Sequence, residues 1–268
     1  LAKLKGVLQM TGNIGGMSIY KMKGCDELII RVKGGATREQ IETLESCKVV
    51  RQNNNEWRGV TQLAGAIRRS IKPITGLSDY NFCGQLSALA KKIQKSDIES
   101  VPGKRSLLPS ANRNLCTGFQ LNREHSFRNT VLSELSWEIN RDSKLAQVNI
   151  GEITPVCHIK GWSNAGTVFR FVVTLGTASD YALSEDQYLP VNNSLPEFTT
   201  VKTTDWLSMK QEIDAQSLTL AAPMNKNTII DNHTSFVLGI GIEFATPGIS
   251  GEIQPDKVVG CAQILGVG

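Results

Sequence analysis

Beyond Phe127 the helical period stops and eight short β-branched or aliphatic runs follow, at 131–139, 145–150, 156–160, 168–175, 199–203, 217–221, 236–244 and 258–265, separated by Gly, Pro, Asn and Asp. In the first run Val131, Leu135, Trp137 and Ile139 fall on one face and Glu134, Ser136 and Glu138 on the other. That period of two is the mark of a strand covered on one side. Seven or eight such runs in some 140 residues predict an antiparallel sandwich or barrel, and a sandwich is the expectation. The connection 176–196, with Asp180, Glu185 and Asp186, reads as a surface loop with some order of its own.

Upstream the pattern differs. Residues 4–32 are short runs punctuated by glycine and read as two or three strands, with Gly12, Gly15 and Gly16 at tight turns that need positive φ. Met17, Ile19 and Lys21 alternate with Ser18, Tyr20 and Met22, so neither face is cleanly apolar. Uncharged from Met17 to Tyr20, this segment reads as a sheet edge open to a partner. Thr37 followed by Gln40 predicts a capping box that opens a helix through Ile41 and Leu44. A second helix is expected from Asn54 or Asn55, with Trp57, Val60, Ala64, Ile67 and Ile71 on its apolar face and Pro73 as its stop. A third follows Ser78 or Asp79, with Leu86, Leu89 or Ala90, and Ile93 inward and Lys91, Lys92 and Lys95 at its C-terminus. A short helical turn is expected within 112–118. The expected class is α+β: an N-terminal β-hairpin segment plus about three helices over 1–127, then the antiparallel β-sandwich over 128–268.

Charge divides at nearly the same place. Residues 1–130 hold 21 Lys+Arg against 10 Asp+Glu, a net of +11, while residues 131–268 hold 8 against 15, a net of −7. Halves of opposite sign attract within one molecule, or head to tail between neighbours. The longest strongly apolar run, 236–245, is too short for a membrane helix of roughly 20 residues, and residues 1–10 lack the pattern of a secretory signal. A cytoplasmic protein with no membrane partner is expected. Its six cysteines, Cys25, Cys47, Cys83, Cys116, Cys157 and Cys261, include no Cys-x-x-Cys pair and read as reduced core thiols.

Motifs that carry chemistry are missing. Neither Gly-x-Gly-x-x-Gly nor Gly-x4-Gly-Lys-Ser/Thr occurs, and strand rather than helix follows Gly12, Gly15 and Gly16. Gly161-Trp162-Ser163-Asn164-Ala165 matches a nucleophile elbow for three residues and lacks its final glycine. His125, His158 and His233 stand singly, away from ligand spacing. No catalytic residue, metal or cofactor is expected, and the chain is not expected to be an enzyme. Arg51, Arg58, Arg68, Arg69 and Lys72 form a basic helix face, but Trp57 is assigned to the apolar stripe, so nucleic acid is the less favoured partner.

At Gly12-Asn13-Ile14-Gly15-Gly16, Tyr20-Lys21-Met22-Lys23-Gly24, Ile30-Arg31, Arg51-Gln52-Asn53-Asn54-Asn55-Glu56-Trp57 and Gly118-Phe119-Gln120-Leu121-Asn122, the chain resembles a largely uncharacterised family of Bacteroidota proteins that includes a cytoplasmic fibril subunit of gliding bacteria. The resemblance covers roughly residues 10–125 and implies a structural role with no catalytic residues. Together with the opposite-sign halves and the glycine-rich strands, it sets the leading expectation. This is a structural subunit that self-assembles, head to tail with itself, into a cytoplasmic helical filament or tube. The expected interface pairs Met17, Ile19 and Tyr20 with a neighbour's sheet, and sets Arg58, Arg68 and Arg69 against the Glu185 and Asp186 of a neighbour. The alternatives are a nucleic-acid or small-molecule binding β-sandwich protein, or a phage tail-tube or capsid-like structural protein.

Overall fold

The computed structural model describes residues 2–4, 10–22, 27–32, 34–160, 167–192, 195, 197–225, 227–248, 251–253 and 259–268, and its contacts divide the chain into two units, Leu1–Arg51 and Gln52–Gly268. The first unit opens with four strands, β1 (Ala2–Leu4), β2 (Gly12–Ile14), β3 (Met17–Lys21) and β4 (Leu28–Val32), in one antiparallel sheet of order β1-β4-β3-β2. Gly15 and Gly16, at φ 53° and 79°, make the two-residue turn that joins β2 to β3, the geometry only glycine adopts freely at both positions. The expected hairpin is therefore present. That turn folds β2 back on β3, while β4 pairs along its other side, so Met17–Lys21 is an interior strand and not the expected edge. The open edges belong to β1 and β2. After the sheet, α1 (Arg38–Thr43) opens with the expected capping box: Thr37 Oγ1 accepts from Gln40 N–H, and Gln40 Oε1 accepts from Thr37 N–H.

α2 (Lys48–Ser70) starts well before Asn54, because it continues directly from a 3-10 turn at Glu45–Cys47 and the asparagine is used elsewhere: Asn55 Nδ2 donates to Gly103 O at 2.9 Å. Its buried stripe runs through Glu56, Gly59, Val60, Leu63, Ile67 and Ser70. Trp57, expected on that stripe, is 50% exposed. The helix is rotated toward Gly59, where a Cβ would meet Leu107 Cδ1 at 2.5 Å and the Tyr188 ring at 2.6 Å, so the closest approach falls beside the indole rather than on it. Pro73 then turns the chain into a 3-10 segment, Lys72–Leu77. α3 (Cys83–Lys95) buries Leu86, Leu89, Ala90 and Ile93, as its period predicts. Asn81 Oδ1 accepts from its Cys83 N–H, whereas Asp79, an expected cap, accepts from the N–H groups of Arg123 and Glu124. α4 (Arg113–Cys116) and α5 (Phe127–Thr130) are single turns.

The β-rich part comprises β5 (Leu135–Asn140), β6 (Leu145–Ile150), α6 (Pro155–His158), β7 (Val168–Ser179), β8 (Tyr181–Ser184), β9 (Gln187–Pro190), β10 (Thr199–Thr203), β11 (Leu207–Ser208), β12 (Gln216–Ala221), β13 (Thr234–Ala245) and β14 (Val259–Val267). The run at 156–160 is helical rather than extended: Pro155 suits a first helical turn, and His158 Nδ1 accepts from Thr154 N–H. A central antiparallel sheet has the order β10-β7-β13-β14, with β11 also on β7; a second sheet is β12-β6-β5, and β8 and β9 form a hairpin.

Alternate residues of the central sheet enter two different cores. Phe169, Phe171, Val173 and Leu175 of β7, with Phe236, Leu238, Ile240 and Ile242 of β13, pack with Ala146, Val148, Ile150, Leu218 and Leu220 of the second sheet, which is the expected sandwich. Val172, Val237, Ala262 and Ile264 pack instead with residues of α2, the 3-10 segment and α3. Strands buried on both faces read as continuous apolar runs, as β7 and β13 do. Because helices and sandwich share the central sheet, the expected boundary at 127/128 cuts through packed layers, and the division falls at Arg51/Gln52 instead.

The free edge of β14 is covered. Gly118 N–H and Leu121 N–H donate to Ile264 O and Ala262 O at 2.8 and 2.9 Å, and Ile264 N–H donates to Phe119 O at 2.9 Å. Asn122 completes the join, accepting from Ala262 N–H and donating to Leu77 O. The Gly118-Phe119-Gln120-Leu121-Asn122 motif thus blocks strand addition at this side of the sheet.

Candidate assembly surfaces

Among its described residues the first unit has a sheet but almost no core. Ile19 and Ile29 are its only buried hydrophobic residues among those described. The register aligns Ile14 of β2, Met17 of β3 and Val32 of β4 in one row, and Ile19 with Ile30 in the next, all on one face. Ile14, Met17 and Val32 are 51%, 42% and 74% exposed. The opposite face carries Asn13, Ser18, Tyr20, Arg31 and the buried Ile29, with Ser18 Oγ donating to Asn13 Oδ1 and the Arg31 guanidinium 5.5 Å from the Tyr20 ring centre. Of the expected interface residues on β3, Met17 therefore lies open, Ile19 is buried, and Tyr20 is engaged with Arg31 on the opposite face.

The charged members of the expected interface find partners within the chain. Glu185 and Asp186 form the turn between β8 and β9, with Glu185 at φ 53°. Arg58 Nη1 donates to Asp186 O of the same chain at 3.4 Å, so these two positions meet in cis. Arg69 makes a paired bond to Glu197, at 2.6 and 2.8 Å, and not to Glu185 or Asp186. Arg58 and Arg68 are both exposed and make no ion pair among the described residues, and Arg68 makes no side-chain hydrogen bond among them either. The region expected as a loop folds as the β8–β9 hairpin, anchored by buried Tyr181 and Tyr188; the Tyr188 hydroxyl donates to Arg105 O.

Two polar clusters lie within the second unit. Buried Asp180 accepts from Ser110 N–H and Ser110 Oγ–H and stands 3.1 Å from His233 Nδ1. A nucleophilic relay places histidine between serine and carboxylate, whereas here the carboxylate is in the middle, tying the 110 loop to the turn before β13. Buried Glu56 accepts from Lys91 Nζ and Gly103 N–H, both at 2.8 Å, with Arg105 Nη1 at 3.6 Å. Burial pushes the Glu56 carboxyl up, but the Lys91 and Gly103 bonds and the two nearby cations outweigh it, and its pKa lies below the ordinary carboxylate value. Burial pushes the Cys116 and Cys261 thiols up to about 11 and about 12, in keeping with inert core thiols. Cys157 is exposed, Cys47 and Cys83 are half-buried, and Cys25 lies outside the described residues. The 161–165 elbow motif also lies outside them.

Among the described residues no group of three His, Cys, Asp or Glu side chains is placed to hold a metal, and no helix is long and apolar enough to cross a membrane. Compared with protein-family models, with curated proteins and with solved structures, the chain matches none. Sequence reasoning missed the exposure of Trp57 and the position of the open edge at β2. The uncharged Gly12-Asn13-Ile14 stretch was the signal for the second; nothing local marks the first.

Proposed function

We propose that the chain is a structural subunit that self-assembles head to tail into a cytoplasmic helical filament or tube, its partner being a second copy of itself. The observation that carries this reading is the open apolar row Ile14, Met17 and Val32 on a sheet with scarcely any core among its described residues. Such a row is unfavourable in water and gains stability when another chain covers it. The motif resemblance to a largely uncharacterised family that includes a fibril subunit points the same way.

The test is negative-stain electron microscopy with sedimentation on the purified full chain at near-physiological salt. Uniform rods or tubes are expected, and an Ile14→Asn/Met17→Ser/Val32→Thr variant that still melts cooperatively should stay in the supernatant. A monodisperse small particle at high concentration and across salt would overturn the reading. A second reading, nucleic-acid binding, is favoured by one observation: half-exposed Trp57 sits beside exposed Arg58 on α2. It requires single-stranded oligonucleotide binding whose log affinity falls linearly with log salt.

A further inference from the structure

The apolar sheet face of the first unit is too small to hold a permanent polymer by itself. Four strands about 4.8 Å apart, of at most five residues at about 3.3 Å each, present about 300 Å². A stable interface takes about 800 Å² from each partner. A second contact surface is needed, and the charge layout supplies one. Within the second unit the helical stretch 52–130 holds 12 Lys+Arg against 5 Asp+Glu, and 131–268 holds 8 against 15. The helices lie on one side of the central sheet and the β12-β6-β5 sheet on the other; Asp186 and Glu197 already meet α2 on the helical side, whereas other acidic residues gather on the far side.

On the helical side α2 offers a solvent stripe. Thr61 and Arg68 lie within about 40° of Trp57 around the helix. All three are exposed, and exposed Lys72 follows. On the far side, Gly151 N–H donates to Glu134 O, and Ile153 and Ile213 exchange backbone bonds with both side chains in the core. These bonds gather Glu134, Glu152, Glu212 and Asp214 at one end of the second sheet, flanking the inward isoleucines. All four are exposed and none makes an ion pair among the described residues.

Resting on the assembly reading, we infer that the α2 stripe Trp57, Thr61, Arg68 and Lys72 docks against the acidic end Glu134, Glu152, Glu212 and Asp214 of a second copy. Two unlike patches on opposite sides of one chain form a heterologous joint, which propagates rather than closing on itself. Opposite charge sets its register, and the indole supplies an apolar anchor at one end of the stripe.

Two charge-reversed full-length variants test this joint: Arg68→Glu/Lys72→Glu on the stripe, and Glu152→Lys/Glu212→Lys/Asp214→Lys on the acidic end. Each alone should raise the critical concentration for pelleting at least about tenfold, since like charges then face each other at every joint. An equimolar mixture should recover wild-type pelleting, because each reversed patch then meets its complement on the other variant. The mixture also shows that both variants fold, and the neutral Glu152→Gln/Glu212→Gln/Asp214→Asn variant should give an intermediate loss. Assembly of both reversed variants at the wild-type concentration, or a mixture that stays soluble while both variants melt like wild type, overturns the joint but leaves the sheet-face contact standing. If the Arg68→Glu/Lys72→Glu variant loses oligonucleotide binding and assembles normally, the stripe is a nucleic-acid surface and the joint is likewise overturned. A wild-type protein that never polymerises removes the assembly reading itself.

Discussion

Glu56 shows how one residue joins three segments. Its carboxylate receives Lys91 of α3 and the Gly103 amide, while Gln94 Nε2 donates to its backbone carbonyl. Replacing it by Gln leaves Lys91 and Arg105 half-buried without their counter-charge, so Glu56→Gln should cost about 3 kcal/mol in urea unfolding, toward the low end for breaking a buried pair. The sign with pH follows from the lowered pKa. The ion pair contributes fully above the ordinary carboxyl value of 4.5 and is lost as pH falls through the lower folded value. Wild-type melting temperature should therefore drop on acidification below about pH 4.5, and the drop should be shallower in Glu56→Gln. Asp97, whose burial is outweighed by amides of Ser100, Ser106 and Glu99, adds a further loss that sets in lower, below its ordinary value of 3.8. A second single-residue constraint is steric. A methyl group on Gly176 would lie 2.5 Å from Ser70 O and 2.6 Å from Ser70 Cα, backbone that cannot turn aside. Gly176→Ala should push α2 off the central sheet and cost about 1–3 kcal/mol, read by the urea midpoint.

At the scale of elements, coverage decides what each strand does. β14 is long and apolar, and left open it would invite pairing; the 118–121 segment and Asn122 close it. Asn122→Ala would leave the Ala262 N–H and Leu77 O unpaired in a buried site, and should cost about 2 kcal/mol, with faster amide exchange along Val259–Val267 as the local readout. In the first unit the reverse holds: β2 is short, glycine-rich and open at its edge, and its Ile14 extends the exposed row. α2 illustrates the limit of periodic reading. Val60, Ala64, Ile67 and Ile71 of the expected stripe are buried and Trp57 alone falls outside it, because the buried face extends instead to Glu56, Gly59, Leu63 and Ser70, where Leu107 and Tyr188 pack.

Across the whole second unit, a helical layer and a second sheet with an acidic end flank a central sheet whose residues are buried on both sides. The sequence already separates the charges by position along the chain, but the placement of the α2 stripe and the acidic end on opposite sides comes from packing. Local pattern alone was enough for several elements. The Gly15-Gly16 turn, the Thr37 capping box, the inward face of α3 and β6 at Leu145–Ile150 all stand as their residues predict, because each depends on φ preferences or on a period that neighbours do not alter. The class, α+β with antiparallel sheets, follows from the same signals. Tertiary structure decided the rest. It set which strand of the first sheet lies inside, which way Trp57 points, that Arg69 meets Glu197, and that helices and sandwich form one unit. Each of those outcomes depends on contacts between segments far apart in the chain, where close packing and charge pairing act and local periodicity carries no information.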